Sequence, residues 1–182
     1  MIERVNENNL EEYENFIKAH PKGLFQHSSK WAKVKSAWKW EAIMLKDDNG
    51  TIKGSAAVLI RFVPVIKNAL FYVCRGFVAD EHDFETFDKL FDGLLELAKE
   101  YKAYCIKIDP EIVVENTAYK KHLIEKGFTE LNPGCLDFEN VQPRFVYCFD
   151  YNGMTEDGLL LTFKADYRNR IGKAPKKGVE VK

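Results

Sequence analysis

The chain has 182 residues, of which 46% are apolar, 30% charged and 13% aromatic, with a net charge of −1. That composition excludes a disordered, collagenous or low-complexity chain and gives no global charge signal for nucleic acid. No apolar run reaches the ~18–20 residues of a membrane span, and the polar opening Met1–Leu10 is not a secretory signal, so a cytoplasmic protein is expected.

Leu10, Tyr13, Phe16 and Ile17 recur at helical spacing over 9–20, and Pro21 with Gly23 ends that helix. Ser28-Ser29 offers an N-cap for a short helix from Lys30 to about Trp38. Glu41 to Lys46 reads as a strand, Asp47-Asp48-Asn49-Gly50 as a hairpin turn, and Thr51 to Val63 and Ala69 to Val78 as the next two strands, joined by Pro64–Asn68. From Asp83 to Lys102, apolar residues including Phe84, Phe87, Leu90, Leu94 and Ala98 recur at steps of three and four, which predicts a long amphipathic helix. Tyr104 to Ile108 is a short strand stopped by Asp109-Pro110, and a helix over about 118–126 is closed by Gly127. Phe145 to Tyr151 predicts a last strand, and Thr155 opens a last helix with Leu159, Leu160, Phe163 and Tyr167 on one face. The element order predicts a single α/β (α+β) sheet with helices on its faces.

Cys74, Cys105, Cys135 and Cys148 are far apart without a close pair, so neither a zinc site nor a disulfide framework is expected, and reduced, mostly buried thiols are. His20, His27, His82 and His122 lack metal-ligand spacing, and His27 reads as a surface residue. Ser28-Ser29 lacks the Gly-x-Ser-x-Gly context of a nucleophile. Asp109-Pro110 reads as a strand terminator, and Asp80, Glu81, Asp83 and Glu85 as an acidic helix start. Those acidic residues occupy the place where an acetyl-CoA enzyme needs a glycine-rich loop to cradle pyrophosphate, so no acetyl-CoA binding is expected. Composition shifts at residue 164: from Lys164 to Lys182 there are seven basic residues against two acidic ones. The last residues, Gly178-Val179-Glu180-Val181-Lys182, read as the opening of a further strand, and a chain that continues is expected.

Several segments together resemble one family. Gln26-x4-Trp31-x3-Lys35 is similar to the Q-x(3–4)-W-x-x-x-K signature of the Fem-type aminoacyltransferases. The run Phe71-Tyr72-Val73-Cys74-Arg75-Gly76-Phe77-Val78-Ala79-Asp80 resembles Y-x-P-R-G-P-x-x-D, and Ile106-Lys107-Ile108-Asp109-Pro110 resembles K-x-D-P. Gly127-Phe128, Gln142-Pro143 and the aromatic run from Phe145 to Asp150 follow in the family's order. Phe163-x4-Arg168-x2-Ile171-x-Lys173-Ala174-x-Lys176-x-Gly178-Val179 resembles its F-x(4)-R-x-x-I-R-K-A-x-K-x-G-V block. Cys74 and Phe77 stand where the family often has prolines, Gly172 stands for an arginine, and Pro175 ends the basic helix near Ala174.

The resemblance implies a GNAT-like (acyl-CoA N-acyltransferase-like) domain over 1–163 and a basic connecting segment over 164–182, leading toward a second GNAT-like domain. It implies a full enzyme that moves an aminoacyl group from aminoacyl-tRNA, without a further cofactor, to the stem-peptide amine of a muramyl-pentapeptide precursor. That acceptor is nucleotide-linked or lipid-linked, the latter bringing peripheral membrane association, and this chain alone is expected to be inactive. By the same resemblance, Lys35 and Arg168 hold the acceptor's phosphates as positioning residues, with Trp31, Tyr72, Arg75 and Gly76 beside them. No residue is assigned to catalysis and none to a metal. The alternatives are a non-catalytic GNAT-like module that binds a phosphorylated sugar-peptide or a partner, and a tRNA-binding domain using the basic tail.

Overall fold

The computed structural model describes residues 1–63, 68–113, 115–131 and 149–180. The chain falls into two compact units, Met1–Gly134 and Cys135–Lys182.

The first unit holds a five-stranded sheet in the order β1-β2-β3-β4-β5. Its strands are β1 (Ile2–Arg4), β2 (Lys39–Lys46), β3 (Ile52–Phe62), β4 (Ala69–Val73) and β5 (Ala103–Ile108). β1 to β4 pair antiparallel, and β5 runs parallel to β4. The parallel pair requires a long crossover, which the predicted long helix α3 (Phe84–Glu100) supplies. At the β2–β3 turn, Asp47 Oδ1 accepts from the backbone of Asn49 and Thr51 while Gly50 takes φ +82°.

Alternation along the strands sorts the side chains into two layers. Ile43, Val58, Ile60, Phe71 and Val73 pack with Phe87, Leu90 and Leu94 of α3. Ala42, Met44 and Ala57 face the other way, onto Tyr13 and Ile17 of α1 (Leu10–Ala19), and Leu59, Tyr72 and Cys74 continue that face under Trp31, Trp38 and Trp40. The edge near β1 is fastened by Glu41, which accepts from Arg4 Nε at 2.9 Å and from the Tyr101 hydroxyl at 2.6 Å.

Several expectations need correction. β4 ends at Val73 instead of Val78, because Arg75 (φ +60°) and Gly76 (φ +76°) turn the chain in the left-handed region. Val78 then returns to β3 through a two-bond bridge with Ser55. β1 has no counterpart in the predicted elements. The helix opened by Thr155 is two helices, α5 (Glu156–Thr162) and α6 (Ala165–Lys173), because Phe163 and Lys164 have extended backbones. The predicted short helix appears as α2 (Ser29–Val34), and α4 (Thr117–Glu125) follows β5. Most of the strand predicted over Phe145 to Tyr151 lies outside the described residues, and 149–151 are not strand.

At the other end, α6 stops before Pro175, and a 3-10 turn (Pro175–Lys177) leads to Gly178 at φ +80°. The Val179 N–H closes back on the Ala174 carbonyl, so 178–180 form a helix end, and the predicted strand is absent there. Cys74 is buried, whereas Cys105 is exposed against expectation; Cys135 and Cys148 lie outside the described residues. Among the described residues no helix is long and apolar enough to cross a membrane.

Candidate functional site

α2 is placed from two sides. Ser28 caps it by accepting from the Lys30 N–H, and Glu14 of α1 accepts from Ser28 Oγ and from the backbone and hydroxyl of Ser29. Burial would raise the Glu14 carboxyl, but the hydrogen bonds from Ser29 and Ser28 outweigh it and hold the group below its ordinary range. The serine pair is therefore a helix start, as its context predicts.

Upstream, the 3-10 turn Phe25–His27 leads into α2, and His27 is 1% exposed, not a surface residue. Its Nδ1 accepts from the Leu24 N–H at 3.0 Å, and its carbonyl accepts from the Tyr13 hydroxyl at 2.7 Å. Burial pushes the imidazole down to about 4, so the ring is neutral at pH 7.

With its start fixed, α2 lays Trp31 half-buried against Leu59, Tyr72 and Cys74, with the Phe25 ring edge-on at 5.2 Å. Lys35 caps the C-terminus of α2, one turn beyond Trp31. Its side chain is exposed, with Nζ 5.1 Å from the centre of the Trp31 ring. The i, i+4 spacing read from the sequence thus produces a cation resting on an aromatic face.

Tyr72 lies beneath this pair and is 5% exposed. Its hydroxyl donates to Asp109 Oδ2 at 3.1 Å, and Asp109 Oδ1 accepts from the Arg75 N–H at 2.8 Å. Burial raises the Asp109 carboxyl despite those two donors, and burial with the adjacent carboxylate pushes the Tyr72 phenol up. Asp109 is more than the strand terminator its Pro neighbour suggests. The signal was the K-x-D-P resemblance, because the spacing alone does not show which turn the carboxylate reaches.

Gly76 serves close approach. A Cβ there would lie 2.8 Å from Pro110 Cβ. The Arg75 side chain lines a cavity of about 10 Å³, room for a water, beside Lys22, Glu81, Glu111 and Tyr119.

Trp31, Lys35, Tyr72, Arg75 and Gly76 thus all belong to the first unit, and Arg168 to the second. There Arg168 Nη1 donates to the carbonyls of Phe163 at 2.9 Å and Leu161 at 3.4 Å, closing the end of α5, while Arg170 pairs with Asp166 at 2.9 Å. Among the described residues no group of three or more His, Cys, Asp or Glu side chains is placed to hold a metal.

A cation over an aromatic face, beside a buried hydroxyl–carboxylate pair, can hold and orient an anionic ligand. Among the described residues no nucleophile–base pair accompanies it.

The chain is similar to known proteins over nearly its whole length. The sequence pattern of the FemAB family matches residues 9–182. The lipid II:glycine glycyltransferase of Staphylococcus epidermidis is 34% identical, over 99% of this chain and 44% of its own length. The Staphylococcus aureus enzyme of the same name is 33% identical, over 94% of this chain and 41% of its own. The chain therefore spans less than half the length of these relatives. The crystal structure of FemX superposes with a TM-score of 0.76 at 30% identity, over 96% of this chain and 44% of that one. A probable acetyltransferase superposes with a TM-score of 0.53 at 14% identity, over 82% of this chain and 99% of that one, a likeness of fold alone, and that fold is the GNAT-like α/β fold. The chain belongs to the FemAB family.

Proposed function

We propose that this chain is the acceptor-binding part of an aminoacyltransferase that extends the stem peptide of a peptidoglycan precursor. The observation that carries the reading is the exposed Lys35 ammonium held over Trp31, at the position the family signature marks. The name of the staphylococcal relatives, lipid II:glycine glycyltransferase, supports a lipid-linked muramyl-pentapeptide as the acceptor. On this reading the donor is aminoacyl-tRNA, and the protein works in the cytoplasm, meeting the membrane through its lipid-linked substrate.

The reaction is aminolysis of an ester. The neutral stem-peptide amine attacks the aminoacyl carbonyl, a tetrahedral oxyanion forms, and the ribose hydroxyl leaves. The amine gives up a proton and the departing ribose oxygen gains one. The residues of this chain contribute position: Lys35 as a mobile point charge and Arg168 as a planar fork for phosphate oxygens. Holding the acceptor in register is an orientational contribution, and the groups that move the protons are not assigned to this chain.

Calorimetry with the nucleotide-linked muramyl-pentapeptide tests the reading. Lys35→Ala and Arg168→Ala should each weaken binding by roughly ten- to a hundredfold, the value of a charge-assisted contact. Wild-type affinity in both variants would remove the site. Affinity that instead followed the exposed Lys173, Lys176 and Lys177, and collapsed with salt, would favour the tRNA-binding alternative.

A further inference from the structure

Arg61 stands near the end of β3, on the sheet face that carries Leu59 and Tyr72, because Leu59 pairs with Tyr72 and Arg61 with Leu70 across the β3–β4 ladder. Its guanidinium lies 5.7 Å from the centre of the Trp38 ring, and Trp38 packs against Tyr72 at 6.4 Å. Trp31 and Trp38 both rest on the cluster of Leu59, Tyr72 and Cys74. One aromatic patch therefore carries a tryptophan-backed cation at each of two places, Lys35 on Trp31 and Arg61 on Trp38.

Neither cation has an acidic partner among the described residues. The Asp109 carboxylate, which reaches this patch through Tyr72, is engaged by the Tyr72 hydroxyl and the Arg75 backbone. Arg61 is exposed, with its guanidinium carbon over the Trp38 indole. A guanidinium resting over an indole can present two parallel donors along its edge, which suits a planar carboxylate, whereas a lysine at the same distance offers only a point charge.

We propose that Arg61, held by Trp38, binds a carboxylate of the acceptor's peptide while Lys35 holds its phosphate. The assignment rests on the acceptor proposed above, whose phosphates and peptide carboxylates lie at different places along one molecule. Two separate cations on one aromatic floor match two separate anions on one ligand. Arg61 is then a positioning residue for the peptide, and it would make the site prefer a peptide-bearing acceptor over the bare nucleotide sugar.

The test compares two probes by calorimetry, UDP-MurNAc-pentapeptide and the peptide-free UDP-N-acetylglucosamine, which carries the phosphates and no carboxylate, on wild type, Arg61→Ala and Arg61→Lys. Arg61→Ala should weaken the pentapeptide form by roughly ten- to a hundredfold and leave the peptide-free form unchanged. Arg61→Lys keeps the charge without the fork and should recover only part of the loss; it also serves as the folding control beside a thermal melt. Equal weakening of both probes would place a phosphate at Arg61 and overturn the carboxylate assignment, and unchanged affinity for both would remove Arg61 from the site. A wild-type chain that bound neither probe would sink the acceptor reading itself, and this assignment with it.

Discussion

The Asp109 carboxylate sits 2.8 Å from the Arg75 backbone nitrogen, so the residue that ends β5 holds the left-handed turn that ends β4. Its second oxygen takes the Tyr72 hydroxyl. Asp109→Ala leaves both donors without their acceptor in a half-buried place. It should cost about 1–3 kcal/mol, read from the urea midpoint, and Asp109→Asn, which keeps one acceptor oxygen, should cost less. An Asp109→Ala protein as stable as wild type would show that the turn holds itself.

Gly76 predicts a backbone effect. Alanine there must adopt φ +76° and place its Cβ 2.8 Å from Pro110 Cβ. The conformational part alone is worth about 1–2 kcal/mol, and the contact adds to it. Gly76→Ala should lower the melting temperature and weaken acceptor binding together, while Gly50→Ala, in open space, should lower only the melting temperature.

Two groups give the pH dependence contributions of the same sign, in separate windows. Folding lowers the His27 imidazole from 6.5 to about 4, so the unfolded chain binds the extra proton as pH falls from 6.5 toward 4, and stability drops across that window. The shift is worth at most about 3 kcal/mol. Burial would raise Glu41, but Arg4, Tyr101 and Lys39 more than reverse it and hold the carboxyl at about 2 against an ordinary 4.5. Its contribution is present above 4.5 and disappears as pH falls toward 2. Stability curves should therefore be shallower in the upper acid window in His27→Asn and in the lower one in Glu41→Gln. A wild-type curve flat from pH 6.5 to 4 would contradict the neutral, buried His27.

Much of the fold is legible because its long elements are amphipathic. α1 and α3 carry their apolar faces in the sequence, and the β2–β3 hairpin announces itself through Asp47 and Gly50. β1 is three residues long, two of them charged, and only its register against β2 makes it a strand. The apolar run from Phe71 to Ala79 hides a turn, because hydrophobicity continues while the backbone at Arg75 and Gly76 reverses. Apolar spacing likewise runs through Phe163, where Arg168 caps the broken helix end. In the site, the Trp31–Lys35 pair is a local i, i+4 relation and can be read directly. The burial of His27 and the reach of Asp109 depend on segments far apart in sequence. Arg61 has no local marker, since only the ladder puts it on the tryptophan face.

Acetyl-CoA supplies a further prediction. The start of α3 is closed by its own residues: the Asp83 side chain accepts from the Thr86 N–H, and Glu85 adds charge in the first turn. A pyrophosphate placed there would meet carboxylates instead of open amides. We expect no saturable rise in melting temperature with acetyl-CoA, and a clear one would overturn this.

Arg75 is a long, charged side chain on a backbone that favours glycine. Arg75→Gly would release the strain, roughly 1 kcal/mol, and take away the charged side chain of a residue that lines that small cavity. On the acceptor-binding reading, selection for a tougher protein and selection for a working one pull in opposite directions at this position. A library screened for heat resistance alone would be expected to drift toward glycine there, and a library screened for ligand binding would keep the arginine.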